Sequence, residues 1–266
     1  MRTYGVREFT PNGASADDLI REELNLLGYS IVPNVLDVST LNDSRERLDA
    51  VYAKQILEIR ERDLRAINEV DIVRLPLSYD DHFIELAANE RVLSLVRSLL
   101  GENVVLMTQN GILNRPNEES VQASWHRDLN YQHFVSTRPL AISALYCLDD
   151  FSSLTGGTEL IPVSHRIERF PSPEYTAEHS IICTATAGSV LLFDSMVFHR
   201  TGQNMGTAIR RALNHVYTVP MIQQQLSIPD ALPEAPSDPH LQTLLGFTFQ
   251  PARSVDSWRQ QRLVRD

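Results

Sequence analysis

The first hundred residues carry apolar side chains at intervals of three and four, the spacing of amphipathic helices. Ser15 is a candidate N-cap for a helix that carries Leu19 and Leu27 and ends at Gly28. A longer helix is expected to open at Ser39 or Thr40. The pattern therefore predicts a mainly helical N-terminal part.

Three further stretches complete that part. The run YSIVPNVL predicts a short strand and turn, and residues 60–80 are mixed in character, which indicates a loop or lid. Residues 82–101 predict one or two amphipathic helices that end at Gly101.

After Gly101 the pattern changes to short β-rich runs separated by Gly, Pro, Asn, Asp and Ser. The runs are VVLMTQNGIL, RPLAISALYCL, GTELIPVSH, HSIICTATAGSVLLF, MVFHRTG and RRALNHVYTVP. Their spacing favours an antiparallel sandwich or barrel over alternating βαβ units. We expect one domain over residues 1–266: a helical part (1–103), a β core (104–220), and a C-terminal loop and tail (221–266).

The composition and charge of the chain argue against some classes of function. The chain has 266 residues, 42% of them hydrophobic and 22% charged, which is typical of a globular protein. Its formal net charge of −10 argues against nucleic acid or an anionic membrane as partner, because the field repels phosphate. Cys147 and Cys183 lie far apart in apolar runs, so we expect two reduced core thiols. No run of eighteen apolar residues and no apolar leader occurs, so we expect a cytoplasmic protein.

The stretch SWHRDLNY places His126 and Asp128 one residue apart. In an extended segment both side chains project from the same face, and Arg127 points away. His199, in the run MVFHRTG, supplies a third donor. Two His and one carboxylate on one face of an octahedral ion leave three positions open, an arrangement that suits Fe(II) binding a co-substrate and O2. The alternative is chance, because the chain has eight His and a His-x-Asp pair is common.

A second feature favours the metal interpretation. Arg210 follows His199 by eleven residues, at the start of the next predicted strand. A guanidinium pairs with a carboxylate through two hydrogen bonds. Beside a metal, Arg210 is placed to hold the far carboxylate of a dicarboxylic co-substrate.

The segments WHRD, GGTELIPVSH and HRTGQNMGTAIRRAL resemble the phytanoyl-CoA dioxygenase family of Fe(II)/2-oxoglutarate oxygenases. The resemblance covers roughly residues 104–220 and implies a double-stranded β-helix, the cupin-like jelly roll. It also implies His126, Asp128 and His199 as iron ligands and Arg210 as the 2-oxoglutarate anchor. Thr201 stands where the family often has Ser, and its hydroxyl is expected to assist the anchor. The departures from the pattern, Val in PVSH and Gly206, do not touch these residues.

The activity that the resemblance implies is oxidation of a small molecule with Fe(II), 2-oxoglutarate and O2, releasing succinate and CO2. Halogenating relatives replace the metal-binding carboxylate with a small residue. Because Asp128 is present, hydroxylation or a related C–H oxidation such as desaturation or ring formation is favoured.

Several polar residues near these motifs are weaker candidates. Gln109 and Asn110 occupy a strand expected to run beside WHRD, and Gln109 is a candidate for co-substrate contact. Asn110, Tyr131 and Asn214 are candidates for substrate contact, although inward Asn residues more often bond the backbone and aromatic residues more often pack. Strand alternation predicts that Arg211 faces outward.

Two other functions remain open at this point. A cupin-type metalloenzyme without 2-oxoglutarate usually has more His ligands and lacks an Arg after the distal His. A non-catalytic metal- or ligand-binding module is the second, and the complete triad argues against it. The tail around Trp258 is compatible with a homodimer as well as with a monomer.

Overall fold

The structure is a computed structural model that describes residues 13–129 and 134–263. Most of its helical residues precede residue 101, and further helices lie within and after the β-rich part. The α-helices are α1 (Ala16–Leu27), α2 (Val38–Glu58), α3 (Glu61–Ala66), α4 (His82–Ala87), α5 (Glu90–Leu100), α6 (Pro173–His179), α7 (Ile228–Ala231), α8 (Pro239–Leu244) and α9 (Val255–Leu263). Across the described residues, none of these helices is both long enough and apolar enough to span a bilayer.

The caps of the first helix are those that the sequence predicts. Ser15 Oγ accepts a hydrogen bond from the Asp18 amide, and the Asp18 carboxylate accepts one from the Ser15 amide, so that α1 begins with a capping box. Gly28 ends α1 in the left-handed conformation, with φ of 86°. α2 begins slightly earlier than expected, because the Asp37 side chain, rather than Ser39 or Thr40, caps it.

The strands form two antiparallel sheets. They are β1 (Tyr29–Val32), β2 (Ile72–Arg74), β3 (Val105–Asn114), β4 (Ala141–Cys147), β5 (Thr158–Leu160), β6 (Ile181–Ile182), β7 (Val190–Asp194), β8 (His199–Thr201) and β9 (Arg210–Thr218). The larger sheet has the order β1-β7-β4-β9-β3-β2, and the smaller has the order β6-β5-β8. The expected antiparallel arrangement with flanking helices is confirmed.

The segment 60–80, expected to be a loop or lid, instead contains α3, the edge strand β2 and a 3-10 turn at Pro76–Ser78. β2 has only three residues, too few for alternation to reveal a strand. Gly111 lies opposite Val73 in the β2–β3 pair, and a Cβ there meets the Leu48 side chain of α2 at 2.5 Å. The missing side chain lets α2 pack directly on the sheet.

The two faces of the larger sheet are both buried. One face packs against the helices in a core that includes Tyr146, Leu213 and Tyr217. The opposite face, called here the inner face, contributes Leu145 and Phe193 to a second core shared with the smaller sheet. Cys147 and Cys183 also lie in this second core as buried free thiols.

Candidate metal centre

A pair of backbone hydrogen bonds brings the two predicted metal-binding histidines together. His126 and His199 form an antiparallel bridge, in which each amide donates to the other's carbonyl at 3.0 Å. Two residues on, the Asp128 amide donates to Ser195 O, just after β7, at 3.0 Å, which holds the segment against the turn between β7 and β8. Asp128 and His126 therefore project from one face of the extended segment. The fold brings them next to His199, which is 71 or more residues away in the chain.

The three side chains converge on one point. Asp128 Oδ1 lies 3.4 Å from His199 Nε2 and 3.9 Å from His126 Nε2. One donor atom from each residue lies within 4.8 Å of the others. Adjacent donors of an octahedral ion with bonds of about 2.1 Å lie about 3 Å apart, so small side-chain movements would close this set on a first-row transition metal.

Backbone carbonyls orient both imidazoles. His126 Nδ1 lies 2.8 Å from Ser124 O, and His199 Nδ1 lies 3.0 Å from Val197 O. A carbonyl accepts only, so each Nδ1 carries the proton and each Nε2 presents its lone pair toward Asp128. This arrangement of outer hydrogen bonds is typical of metal-binding histidines.

The electrostatics of the cluster favour an ionised carboxylate. Burial alone raises the pKa of Asp128, but His199, His126 and Ser143 outweigh it and hold the pKa well below its usual range. Burial and the neighbouring His199 lower the pKa of His126. For His199, burial is outweighed by Asp128, which raises the pKa above 6.5. Without a metal, His199 is thus the imidazole that holds a proton more readily.

Arg210 lies at the start of β9, on the inner face and 2% exposed. Its guanidinium donates to Gly156 O at 2.7 Å and stacks on the Phe151 ring at 4.4 Å, while Nε has no partner. Within residues 13–129 and 134–263, it makes no ion pair with a carboxylate within 4.0 Å. Burial lowers the pKa of Arg210 to about 10, still far above neutrality. Among the described residues, the site therefore contains a buried positive charge that no carboxylate contacts as an ion pair, although Asp149 acts on it from a greater distance.

The predicted metal ligands and Arg210 line one cavity on the inner face. Thr201 lines it as well, opposite Thr158 in the β5–β8 pair. The full lining is Ile112, Gln122, His126, Asp128, Leu145, Thr158, Phe193, His199, Arg200, Thr201, Arg210 and Asn214. The cavity lies between the two sheets, and both the triad and Arg210 form part of its wall.

The position of Gln109 corrects two expectations. β3 pairs with β2 and β9, not with the His126 segment, and Gln109 lies on its helix-packed face. The Gln109 amide accepts from Leu77 N at 2.9 Å, donates to Phe83 O at 2.8 Å and contacts His215 Nε2 at 2.7 Å. All of its polar atoms are used by the scaffold, so Gln109 does not face the cavity that the triad lines.

Asn110 and Asn214 do face inward. They are direct partners in the β3–β9 pair, and Asn110 accepts a hydrogen bond from Arg74 at 3.1 Å. Asn214 donates to Asp128 Oδ2 at 3.0 Å, so it contacts a predicted metal ligand. Tyr131, the remaining predicted substrate residue, lies outside the described residues.

The neighbouring arginines of the two motifs behave as alternation predicts. Arg127 turns away from the triad, donates to Met196 O at 2.7 Å and stacks on Phe198 at 3.8 Å. Arg211 faces outward, where it pairs with Asp49 at 2.8 Å and Asp149 at 3.2 Å. Ser143 was not among the residues predicted from the sequence, yet its hydroxyl donates to Asp128 Oδ2 at 2.5 Å.

Comparison with known proteins agrees with this geometry. The sequence profile of the family described as "Phytanoyl-CoA dioxygenase (PhyH)" matches residues 24–212. The uncharacterized protein Rv1501 of Mycobacterium tuberculosis is 31% identical over 93% of this chain and 94% of its own. The ectoine dioxygenase of Halomonas elongata is 26% identical over 71% of this chain and 66% of its own.

Among solved structures, the epimerase SnoN in complex with Fe3+, alpha ketoglutarate and nogalamycin RO superposes with a TM-score of 0.61. It is 21% identical and covers 84% of this chain and 93% of its own, a likeness that shows a shared fold. The family profile spans well over half of the chain, on both sides of the triad. This chain belongs to the phytanoyl-CoA dioxygenase family.

Proposed function

We propose that this protein is an Fe(II)- and 2-oxoglutarate-dependent oxygenase that oxidises a C–H bond of a small-molecule metabolite, releasing succinate and CO2. His126, Asp128 and His199 hold the iron, and Arg210 binds the far carboxylate of 2-oxoglutarate with help from the Thr201 hydroxyl. The two sheets that enclose the site form a double-stranded β-helix, and residues 1–266 act as one catalytic domain. Hydroxylation is the reaction that this donor set favours.

The observation that carries the proposal is the buried Arg210 charge in the cavity that the triad also lines. A buried guanidinium without an anion is costly, so such a residue is expected to have a partner that arrives from outside. A keto diacid has a carboxylate for Arg210 and a second end that chelates the metal. A metalloenzyme without such a co-substrate has no use for this charge.

Each residue has a defined task in this chemistry. The bound iron and 2-oxoglutarate supply the oxidising power by reducing O2. The imidazoles bind through Nε2 because the Ser124 and Val197 carbonyls hold their Nδ1 protons. Leu145 and Phe193, which line the same cavity, exclude water from it.

The test is a turnover screen that measures succinate release with Fe(II), 2-oxoglutarate, O2 and a panel of small metabolites. Ectoine belongs in the panel because several relatives are named ectoine dioxygenases. We expect iron-dependent succinate release that a substrate stimulates and that His199→Ala abolishes. A product that has gained one oxygen atom identifies hydroxylation, whereas an unchanged mass indicates epimerisation, the activity named for SnoN.

The matched control for this screen is Arg211→Ala, on the opposite face of β9. Arg211 pairs with Asp49 at 2.8 Å and Asp149 at 3.2 Å and is not part of the cavity lining, so its loss removes a neighbouring charge without removing a ligand. Succinate release by this variant is expected to stay at the wild-type level. Succinate release that is equal in wild type and His199→Ala contradicts the proposal, as does turnover that does not require 2-oxoglutarate.

A further inference from the structure

The two carboxylate oxygens of Asp128 have different surroundings. Oδ1 faces the Nε2 atoms of His126 and His199. Oδ2 accepts a hydrogen bond from Ser143 Oγ at 2.5 Å and a second from Asn214 Nδ2 at 3.0 Å. Two donors on one carboxylate oxygen use the lone pairs that it otherwise offers to a metal.

The proton positions of this network follow from chemistry. Ionised Asp128 only accepts, so the Ser143 hydroxyl must donate to it. Ser195 Oγ, 2.8 Å from Ser143 Oγ, then donates in turn to Ser143. The Asn214 amide must present its nitrogen to Asp128, because the flipped amide sets two acceptor oxygens against each other. The network is thus polarised toward Oδ2.

Both donors are held rigidly. Ser143 is fully buried on β4 and Asn214 is 8% exposed on β9. These two strands are hydrogen-bonded neighbours in the larger sheet, with Ser143 opposite Val216 and Asn214 opposite Leu145. Neither side chain can follow the carboxylate if it rotates, so the sheet itself fixes the plane of Asp128.

We propose that Ser143 and Asn214 are positioning residues that restrict Asp128 to binding the metal through Oδ1 alone. Three single-atom ligands leave three of six octahedral positions open, whereas a carboxylate that binds through both oxygens leaves two. The third open position is the one that O2 needs once 2-oxoglutarate has taken two. This last consequence rests on the proposed function, but the one-oxygen coordination itself does not.

The test uses Mn(II) as a redox-stable probe, with affinity measured from the electron paramagnetic resonance signal of free Mn(II). Ser143→Ala and Asn214→Leu each remove one donor, and leucine keeps the branched shape and the number of heavy atoms of asparagine. We expect about 10- to 100-fold weaker Mn(II) binding in each, the usual effect of losing an outer hydrogen bond to a metal ligand. Ser143→Thr keeps the hydroxyl and is expected to restore most of the affinity.

Asn110→Leu is the matched control, because Asn110 is the cross-strand partner of Asn214 on the same face, but its amide oxygen accepts from Arg74 whereas the Asn214 amide donates to Asp128. It is expected to keep the wild-type Mn(II) affinity. Wild-type affinity in both Ser143→Ala and Asn214→Leu overturns the proposal. Equal losses in Asn110→Leu and Asn214→Leu also overturn it, since they indicate a general disturbance of the strand.

A second readout concerns the wild type alone and does not depend on any variant folding. Water-proton relaxation counts the water molecules on bound Mn(II), and one-oxygen coordination by Asp128 predicts three. Two waters overturn the proposal. If Mn(II) binds with three waters but no succinate forms, the proposed function fails while the positioning role stands. If succinate forms but the variants bind Mn(II) normally, only the positioning role fails.

Discussion

Replacing Arg210 with methionine is expected to stabilise the protein and to impair its co-substrate binding. The substitution removes the Arg210 guanidinium, and Arg210 is 2% exposed. That guanidinium donates one hydrogen bond to Gly156 O and has no carboxylate partner in the described part of the chain. Its flexible side chain is suited to the same space beside the Phe151 ring. Stability and co-substrate binding are expected to change in opposite directions, because the Arg210 charge lacks a carboxylate partner only while the co-substrate is absent.

The magnitude follows from the burial of the charge. Burial lowers the pKa of Arg210 from 12.5 to about 10, which corresponds to an unfavourable free energy of about 3 kcal/mol. The lost hydrogen bond to Gly156 O offsets about 1–2 kcal/mol of this, and that carbonyl keeps Asn114 as a donor at 3.3 Å. We expect the metal-free Arg210→Met protein to be more stable by about 1–2 kcal/mol.

The co-substrate measurement has the opposite outcome. In Arg210→Met the far carboxylate of 2-oxoglutarate enters a buried site without a counter-charge, which costs about 3–5 kcal/mol. The dissociation constant is expected to rise by about two to three and a half powers of ten. Urea unfolding of the metal-free protein measures the first effect, and calorimetric titration of 2-oxoglutarate in the presence of Mn(II) measures the second.

Arg211→Met is the matched control on the next residue. Its guanidinium is partly exposed and pairs with Asp49 and Asp149 on the outer side of the sheet. We expect a stability loss of about 1 kcal/mol or less and unchanged 2-oxoglutarate affinity. If Arg210→Met instead lowers stability and leaves the affinity intact, Arg210 is a structural brace and the reasoning is refuted.

Three further substitutions test the account of the scaffold. Burial lowers the pKa of His215 to about 3, so unfolding takes up a proton below pH 6.5. The free energy of unfolding should therefore decrease as the pH is lowered from 6.5 to 3. His215→Gln should reduce the slope of the urea-unfolding free energy against pH by up to about 1.4 kcal/mol per pH unit. An unchanged slope contradicts this. Gln109→Ala should cost about 1–3 kcal/mol in unfolding experiments while Mn(II) affinity stays at the wild-type value, because its bonds to Leu77 and Phe83 are structural. Loss of Mn(II) binding by the folded variant contradicts this assignment. Gly156→Ala should lower the melting temperature more than Gly101→Ala: both have positive φ, but only at Gly156 does a Cβ meet backbone, Gly202 O at 2.4 Å. Equal decreases in the melting temperature of the two variants contradict the expected clash at Gly156.

The parts of the site that the sequence predicted correctly depend on strand alternation. His126 and Asp128 share a face, Arg127 turns away, and Arg210 and Arg211 divide between the two faces, as a period of two requires. A backbone bridge between His126 and His199 then brings the distant motifs together. The sequence suggested that contact through the chemistry of the three donors and through the family resemblance.

Strand alternation did not predict which face of β3 Gln109 occupies. Both faces of β3 are covered, one by helices and one by the second core, so its sequence does not alternate between apolar and polar. A buried polar residue on such a strand indicates a partner but not the side on which the partner lies. β3 also has a register irregularity between Leu106 and Thr108, which sequence alternation does not reveal.

Ser143 was missed for a related reason. It is a small residue in the run AISALYC, all of which is buried, and serine is common in such strands. Its significance arises from β4 lying next to β9, which places Ser143 and Asn214 around one oxygen of Asp128. Strand order is a property of the whole fold and leaves no local signal.

The most direct test of the central claim is a crystal structure of the protein with Fe(II) and 2-oxoglutarate, prepared without oxygen. The account predicts iron within about 2.0–2.3 Å of His126 Nε2, Asp128 Oδ1 and His199 Nε2. It also predicts the far carboxylate of 2-oxoglutarate on the Arg210 guanidinium. Iron bound by other side chains, or 2-oxoglutarate bound away from Arg210, contradicts it.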